Sequence, residues 1–205
     1  METDLETKQK IRGRTRTFDN EKTLDFAIQS YWLKGPTQVS VNEICKLAGV
    51  SKPSLYREFN SEDGLMAASL ERYADQVLSH VLGLLAQDED FQQVLDSLVD
   101  YALRPPTESA PAGCLFAKMR LDKALLGPRT NQVIETLRER AIAAIARWLA
   151  KATDEQGVVL PASIRVSAAY LDEQLTHLAN RMTEGENVDA LRRQAMIALS
   201  VFKSS

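Results

Sequence analysis

Apolar residues recur at three- and four-residue spacing along most of the chain, and this spacing predicts α-helices rather than strands. After a polar N-terminal stretch, such segments run over about 19–34, 41–48 and 51–59, and then in longer helices towards the C-terminus. No stretch of useful length alternates between apolar and polar residues, as a half-buried strand would. The pattern therefore predicts an all-α chain.

Residues 40–59, SVNEICKLAGVSKPSLYREF, predict two short helices joined by a tight turn. Ser40 is expected to cap the first helix in a reciprocal pair with Glu43, and Gly49 supplies the backbone freedom that the turn needs. Ser51 is expected to cap the second helix. A helix, a glycine-containing turn and a short polar helix form the helix-turn-helix layout, whose second helix enters the DNA major groove.

An ordinary helical hairpin would have the same pattern, so the chemistry of the second helix matters. Its apolar residues Leu55 and Phe59 are four apart and predict the packed face. The remaining side chains carry hydroxyl, phenol, ammonium and guanidinium groups, which can contact phosphates or base edges. This chemistry favours DNA binding.

The net charge of the chain does not indicate nucleic-acid binding, but the distribution of the charges along the chain is informative. The chain has 205 residues and a formal net charge of −3, yet residues 8–16 carry five bases and no acid. We expect residues 1–17 to form a disordered basic arm. Its arginines Arg12, Arg14 and Arg16 could enter the minor groove beside a helix-turn-helix. The alternative is a solubilising tail.

The remaining composition narrows the class of protein. The two cysteines, Cys45 and Cys114, lie far apart and favour a reducing compartment without disulfides. The N-terminus lacks the apolar core of a signal peptide, and no apolar run approaches the ~18 residues of a membrane span. We therefore expect a soluble, cytoplasmic protein with no membrane partner. His80 and His177 have no metal-ligand spacing, so we expect no metal, no cofactor and no enzyme activity.

The last two predicted helices each carry an apolar stripe. These stripes must supply part of the chain's own core, and they also fit a homodimer in which two helices from each subunit form a four-helix bundle. The dimer interpretation assigns the interface to Ile164, Ala168, Leu171, Leu175, Leu178, Leu191, Ala195, Leu199 and Phe202.

A small-molecule pocket, if present, is expected among the middle helices. Its predicted lining is Tyr101, Cys114, Phe116, Met119 and Trp148, each of which could equally be core. Cys114 precedes Lys118 and Arg120, which could lower its pKa and make it a redox or electrophile sensor. Ordinary packing of a small side chain is the alternative.

With these residues laid out, the segment from about Thr17 to Tyr73 resembles the tetracycline-repressor (TetR) family of bacterial transcriptional regulators. The motifs that carry the resemblance are RTRTFD, YWLKG and VSVNEICKLAGVSKPSLYREFNSEDGL, in which the PSLY form is the most specific. Beyond Tyr73 the resemblance is architectural, with GCLFAKMR similar to a segment in many such regulators.

The resemblance implies roles for individual residues. Ser40 and neighbouring amides would hold a phosphate, and Lys52 would contact a guanine or a phosphate. The family usually has a phosphate-binding lysine where this chain has Glu62, which would repel phosphate. The residues implied to contact DNA are Ser40, Ser51, Lys52, Pro53, Ser54, Tyr56 and Arg57.

The resemblance also implies a domain plan. We expect a basic arm over 1–17, a three-helix helix-turn-helix domain over 18–64 and a C-terminal helical regulatory and dimerisation domain over 65–205. The expected function is a dimeric, ligand-responsive repressor that binds a pseudo-palindromic double-stranded operator. The alternative is a DNA-bound protein-interaction factor of the same fold without a small-molecule effector.

Overall fold

The computed structural model describes residues 19–107 and 110–203, and within these ranges the chain is helical and contains no strand. The predicted all-α fold is confirmed. An antiparallel bridge pairs Val159 with Lys203, and short 3-10 helices span Pro36–Gln38 and Lys123–Leu125. The α-helices are α1 Asn20–Lys34, α2 Val41–Ala48, α3 Lys52–Phe59, α4 Glu62–Leu85, α5 Phe91–Ala102, α6 Leu115–Leu121, α7 Pro128–Gln156, α8 Ile164–Thr183 and α9 Val188–Leu199.

Each helix of the N-terminal head, which comprises α1, α2 and α3, begins at a side chain that caps it. The Asp19 side chain accepts the Lys22 amide at 3.0 Å, and the Ser40 side chain accepts the Glu43 amide at 3.3 Å. The predicted reciprocal bond from Glu43 does not form, because its carboxylate accepts from the Lys34 ammonium at 2.5 Å instead. α2 thus begins with a simple serine cap.

A first apolar core joins the head to the helices that follow it. This core combines buried residues of α1, α2 and α3 with the first half of α4, with α6 and with the first half of α7. Leu55 and Phe59 are buried in it as predicted, whereas Leu33 on α1 is 65% exposed. Packing therefore continues across residue 64, where the sequence predicts a domain boundary.

A second apolar core lies between α5, the second half of α7, α8 and α9. Phe91 stacks on Trp148 inside it, with ring centroids 4.8 Å apart. This core corrects the predicted dimer interface, because most of those residues are already buried within the chain and are unavailable to a partner; Leu175 is half-buried and Ile164 is exposed. The buried ones are Ala168, Leu171, Leu178, Leu191, Ala195, Leu199 and Phe202.

A carboxylate at the start of α4 connects α4 to the start of α7. Asp63 accepts the amides of Arg129 and Thr130 at 2.8 and 3.0 Å, and the Thr130 hydroxyl at 2.6 Å. Asp63 thus caps a helix that begins more than sixty residues later. Next to it, a Cβ at Gly64 would lie 1.9 Å from the Phe59 carbonyl oxygen, so glycine is required there.

Within the described ranges, none of the helices combines the length and the apolar character that crossing a membrane requires.

Candidate nucleic-acid interface

The N-terminal edge of α3 presents polar side chains from a fixed backbone. Ser51 accepts the Ser54 amide at 3.3 Å, and its hydroxyl donates to the Ser54 hydroxyl at 2.9 Å. Ser51, Lys52 and Pro53 are exposed and Ser54 is half-buried. On the opposite side of the helix, Leu55 is fully buried, which fixes the direction in which this edge faces.

Contacts within the chain also order the next turn of α3. The Lys52 ammonium lies 5.5 Å from the centroid of the Tyr56 ring, and the Tyr56 hydroxyl donates to the Glu62 carboxylate at 3.2 Å. Glu62, which stands where the family usually has a phosphate-binding lysine, thus fixes the position of the Tyr56 phenol. Arg57 is exposed beside Glu58, which accepts from the Asn20 amide at 2.8 Å. The sequence did not predict the Asn20–Glu58 bond because its partners lie on different helices.

The other predicted contacts to DNA differ in how far the structure describes them. Ser40 is exposed at the N-terminus of α2. Arg12, Arg14 and Arg16 lie outside the described residues. The described edge combines two hydroxyls, a phenol, an ammonium and a guanidinium on a helix eight residues long. Such a set can donate hydrogen bonds to phosphates and to base edges.

A cavity of about 120 Å³ lies where the two apolar cores meet, between α4, α5, α6, α7 and α8. Of the five residues predicted to line a ligand pocket, Tyr101, Cys114 and Phe116 line this cavity. Met119 and Trp148 do not: Met119 is fully buried in the first core and Trp148 is stacked on Phe91 in the second. The cavity also has the polar lining residues Arg104, Asp172 and Thr176, which the sequence does not predict because they come from separate elements.

The surroundings of Cys114 differ from the prediction. The Lys118 ammonium donates to the Trp32 carbonyl oxygen at 2.8 Å, and the Arg120 guanidinium binds Asp172 and Thr176. Both bases expected to activate the thiol are therefore engaged elsewhere. The group beside the Cys114 sulfur is the Tyr73 hydroxyl, which lies 3.5 Å away and whose pKa is raised mainly by burial.

Among the residues that the structure describes, no group of three or more histidine, cysteine, aspartate or glutamate side chains could hold a metal ion. His177 is exposed, and the exposed His80 stacks on Tyr101 with ring centroids 4.3 Å apart.

The comparisons with known proteins agree with this geometry. Residues 24–69 match the model of the bacterial regulatory proteins, tetR family. The chain is 29% identical over 134 residues to the HTH-type transcriptional repressor ComR of Escherichia coli strain K12. That match covers 64% of this chain and spans 62% of the length of ComR.

Two solved structures share the fold. The reduced form of NemR from E. coli superimposes with a TM-score of 0.79 at 18% identity, covering 90% of this chain and 97% of that one. A cysteine mutant of the TetR family regulator CifR, in complex with a 26-bp double-stranded operator DNA, gives a TM-score of 0.76 at 21% identity, covering 93% of this chain and all of that one. The match of residues 24–69 to the tetR family model, the similarity to the curated repressor and the shared fold all point to the same family of bacterial regulatory proteins.

Proposed function

We propose that the protein is a transcriptional repressor that binds a pseudo-palindromic operator as a homodimer and is released from it by a small-molecule effector. It would act in the cytoplasm, where the operator lies. The observation that carries the proposal is the exposed polar edge of α3, which is held by Ser51 and by the buried Leu55. An edge of this kind can enter the major groove without first having to become ordered.

In this proposal the side chains of α3 share the work of recognition. Lys52 donates to a guanine or a phosphate, Ser51 and Ser54 donate or accept at base edges, and Arg57 binds the backbone. Ser40 and the first amides of α2 hold a phosphate. Glu62 repels phosphate, so affinity depends more strongly on Lys52 and on the N-terminal arm.

The homodimer would use the outer faces of α8 and α9 rather than their buried stripes. These faces carry large exposed apolar side chains, which a partner subunit would cover. Ile197 is 75% exposed and Met196 is 67% exposed on α9, and Val166 is 58% exposed on α8. Two copies of α3 would then read two half-sites about one turn of DNA apart.

Release by an effector would depend on the connection between the cavity and the head. The cavity is lined by α4 and α7, and Asp63 joins the first turns of these two helices directly behind α3. A ligand that changes how α4 and α7 pack would therefore change the separation of the two α3 helices. Because groove spacing is fixed, a small change would weaken operator binding.

The rival function, a DNA-bound protein-interaction factor without an effector, shares the DNA-binding part of the proposal. The largely apolar cavity favours the effector-responsive function. A thermal-shift screen of small apolar compounds separates the two, because a factor without an effector site has no compound-dependent rise in melting temperature.

The decisive experiment is selection of bound fragments from a random DNA pool at a stated salt concentration. We expect one pseudo-palindromic sequence whose half-sites repeat at about one helical turn. The variant Lys52→Ala/Tyr56→Ala should lose this selection while keeping the same oligomeric state. Enrichment of no sequence, or unchanged selection by the variant, would contradict the proposed role of α3.

A further inference from the structure

Some charged side chains in the cavity wall form ion pairs within the chain, and others do not. Arg120 bonds to Asp172 at 2.9 Å and to Thr176 at 2.7 Å, and its other nitrogen bonds to Glu173, which also accepts from Arg138. Two guanidinium groups thus face two carboxylates in this network. The negative charge of Asp172, which lines the cavity, is therefore balanced by the Arg120 guanidinium.

Among the described residues, no ion pair matches the charge of Arg104 in the cavity wall. Its guanidinium donates to the carbonyl oxygens of Tyr101 at 2.9 Å and of Gly113 at 3.2 Å. These two bonds leave three of its five N–H donors without a bond among the described residues. No carboxylate in the described part of the chain forms an ion pair with Arg104, and the side chain is only half-exposed.

The aromatic ring beside this cation is already covered. The Arg104 guanidinium lies 4.2 Å from the centroid of the Tyr101 ring, and the His80 ring packs 4.3 Å from the same centroid. A cationic ligand would need an open aromatic face, and it would also be repelled by Arg104. An anionic group, by contrast, would find three guanidinium donors in fixed positions.

Arg104 also stands at an entrance to the cavity. It lines both the inner cavity and an outer groove along α1 and α4, whose lining also includes Asp25, Gln29 and Trp32. Tyr101 and Val77 are the other residues shared by the cavity and the groove. A molecule in the groove therefore reaches the guanidinium before it reaches the apolar interior.

The volume of the cavity limits the size of the ligand that it can hold. The cavity volume of about 120 Å³ is comparable to that of an engineered apolar cavity that holds a benzene molecule. Leu98, Phe116, Leu137 and Ile145 line it and offer no further charge. The body of a ligand would therefore be one ring or a short alkyl chain.

We propose that the cavity binds a small apolar monocarboxylate whose carboxylate pairs with Arg104 and whose ring or alkyl body fills the space between α4, α5 and α7. The inference rests on the proposed function, because such a molecule would be the effector. The carboxylate accepts two of the guanidinium donors that form no bond among the described residues, and the body displaces no charged group. A ligand bound at Arg104 would also contact the end of α5 and the groove along α1 at the same time.

Calorimetric titration of the full-length protein tests the chemistry directly. The probes form two matched pairs of similar size, benzoate with benzyl alcohol and hexanoate with 1-hexanol, and benzylammonium is the cationic member. We expect at least one carboxylate to bind at least tenfold more tightly than its paired alcohol, and benzylammonium to bind no more tightly than benzyl alcohol. Equal binding within both pairs, tighter binding of benzylammonium, or no binding by any probe would overturn the inference.

Two variants, Arg104→Gln and Ala141→Leu, locate the site, and Arg193→Gln is their control. Arg104→Gln keeps hydrogen-bond donors but removes the charge, and it should weaken carboxylate binding at least tenfold while changing alcohol binding less than twofold. Ala141→Leu fills the cavity and should weaken both members of each pair. Arg193→Gln removes an exposed cation on α9 and should change neither. Unchanged carboxylate binding by Arg104→Gln overturns the assignment; if this variant does not fold, Arg104→Lys, which keeps the charge, should retain the preference for carboxylates.

The result is separable from the test of DNA binding. A protein that selects an operator but does not prefer carboxylates would overturn this inference and leave the repressor proposal standing. A protein that binds benzoate through Arg104 but selects no DNA would overturn the repressor proposal alone.

Discussion

The side chains at the exposed edge of α3 are ordered by their neighbours before any DNA is present. Ser51 holds Ser54 through two hydrogen bonds, Lys52 lies over Tyr56, and Tyr56 donates to Glu62. Ordering a lysine or tyrosine side chain on binding costs conformational entropy, and part of that cost is already met here. In the proposed complex the same contacts would place Glu62 close to the phosphates, and we therefore expect affinity to depend most on Lys52.

Replacing Lys52 by alanine should weaken binding to the selected operator by about 1–3 kcal/mol, because it removes the ammonium donor at the start of α3. Fluorescence anisotropy at several salt concentrations measures the loss. A base contact gives a loss that depends on sequence, and a phosphate contact lowers the salt slope by about one. Lys151→Ala, at an exposed site on α7, is the control, and equal affinity of the two variants would remove Lys52 from the interface.

Two glycines of the same helix should respond to alanine in opposite directions. At Gly64 the new Cβ would lie 1.9 Å from the Phe59 carbonyl oxygen, a backbone atom that no rotamer change can move, so we expect a loss of about 3 kcal/mol in unfolding free energy. At Gly83 the new Cβ meets nothing within 4 Å, so better helix propensity should add about 1 kcal/mol. Urea unfolding of both variants measures the difference, and a tolerated Gly64→Ala would mean that the approach of α3 to α4 is looser than described.

Among the elements, α4 and α7 hold the molecule together. Each contributes its first half to the core that contains the head and its second half to the core that contains α8 and α9. Asp63 fixes their first turns to each other with bonds to Arg129 and Thr130. A displacement of α7 therefore reaches the start of α4, next to α3, through hydrogen bonds as well as through apolar packing.

The Asp63 cap should have a defined pH dependence. Burial acts to raise the pKa of Asp63, but hydrogen bonds from Thr130 and Arg129, together with the charge of Arg129, outweigh it and hold the pKa below its usual value. A lowered pKa gives stability that is present above the unfolded-state pKa and is lost as the pH falls through the folded-state value, which here lies below about pH 4. Asp63→Asn removes the charge and one of the two accepting oxygens, and should cost about 1 kcal/mol at pH 7.

Unfolding measurements at a series of pH values test this cap. The stability difference between the unaltered protein and Asp63→Asn should shrink as the pH falls below about 4, because only the carboxylate titrates. Asp75→Asn changes an exposed aspartate on the same helix and should give no such trend. A difference that stays constant down to pH 2.5 would mean that the carboxylate charge does not contribute to the cap.

What could be predicted from the sequence at this scale was local. Asp19, Ser40 and Ser51 are capping residues that act within three positions along the chain, so the starts of α1, α2 and α3 were found correctly. The reciprocal bond of Glu43 was not, because Lys34, on the preceding helix, competes for its carboxylate.

The predictions that failed, for the dimer interface and for part of the cavity lining, depended on which helices pack against each other. An apolar stripe has the same spacing whether it faces its own chain or a partner, and Leu171 and Leu191 turned out to face the chain's own core. The cavity draws Arg104, Asp172 and Thr176 from the end of α5 and from α8, and no spacing in the sequence relates these positions. Met119 and Trp148 are apolar enough for either role, and close packing in the cores decided it.

For the molecule as a whole, the two cores and the cavity between them form one continuous arrangement. The head does not stand alone, because α6 and α7 complete its core. The cavity lies at the junction, in contact with residues of both cores. A molecule that fills this junction would stabilise one relative packing of the cores, which is how an event in the C-terminal half would reach α3.

Dimerisation provides the last test, because recognition of two half-sites needs two heads at a fixed separation. Met196→Asp/Ile197→Asp places two carboxylates on the exposed apolar face of α9 without touching its buried residues Leu191, Ala195 and Leu199. We expect sedimentation velocity to give a monomer with unchanged helix content, and operator affinity to fall at least a hundredfold, since one α3 helix contacts a single half-site.

Leu125→Asp is the matched control, because Leu125 is 73% exposed but lies on the short helix after α6. It should leave both mass and operator affinity unchanged. If the α9 variant stays dimeric, the partner must use another face, and the separation of the two heads would have to be set by different helices. If it becomes monomeric yet binds the operator with full affinity, a single head supplies all of the recognition, and a change in the separation of heads could not be what releases the DNA.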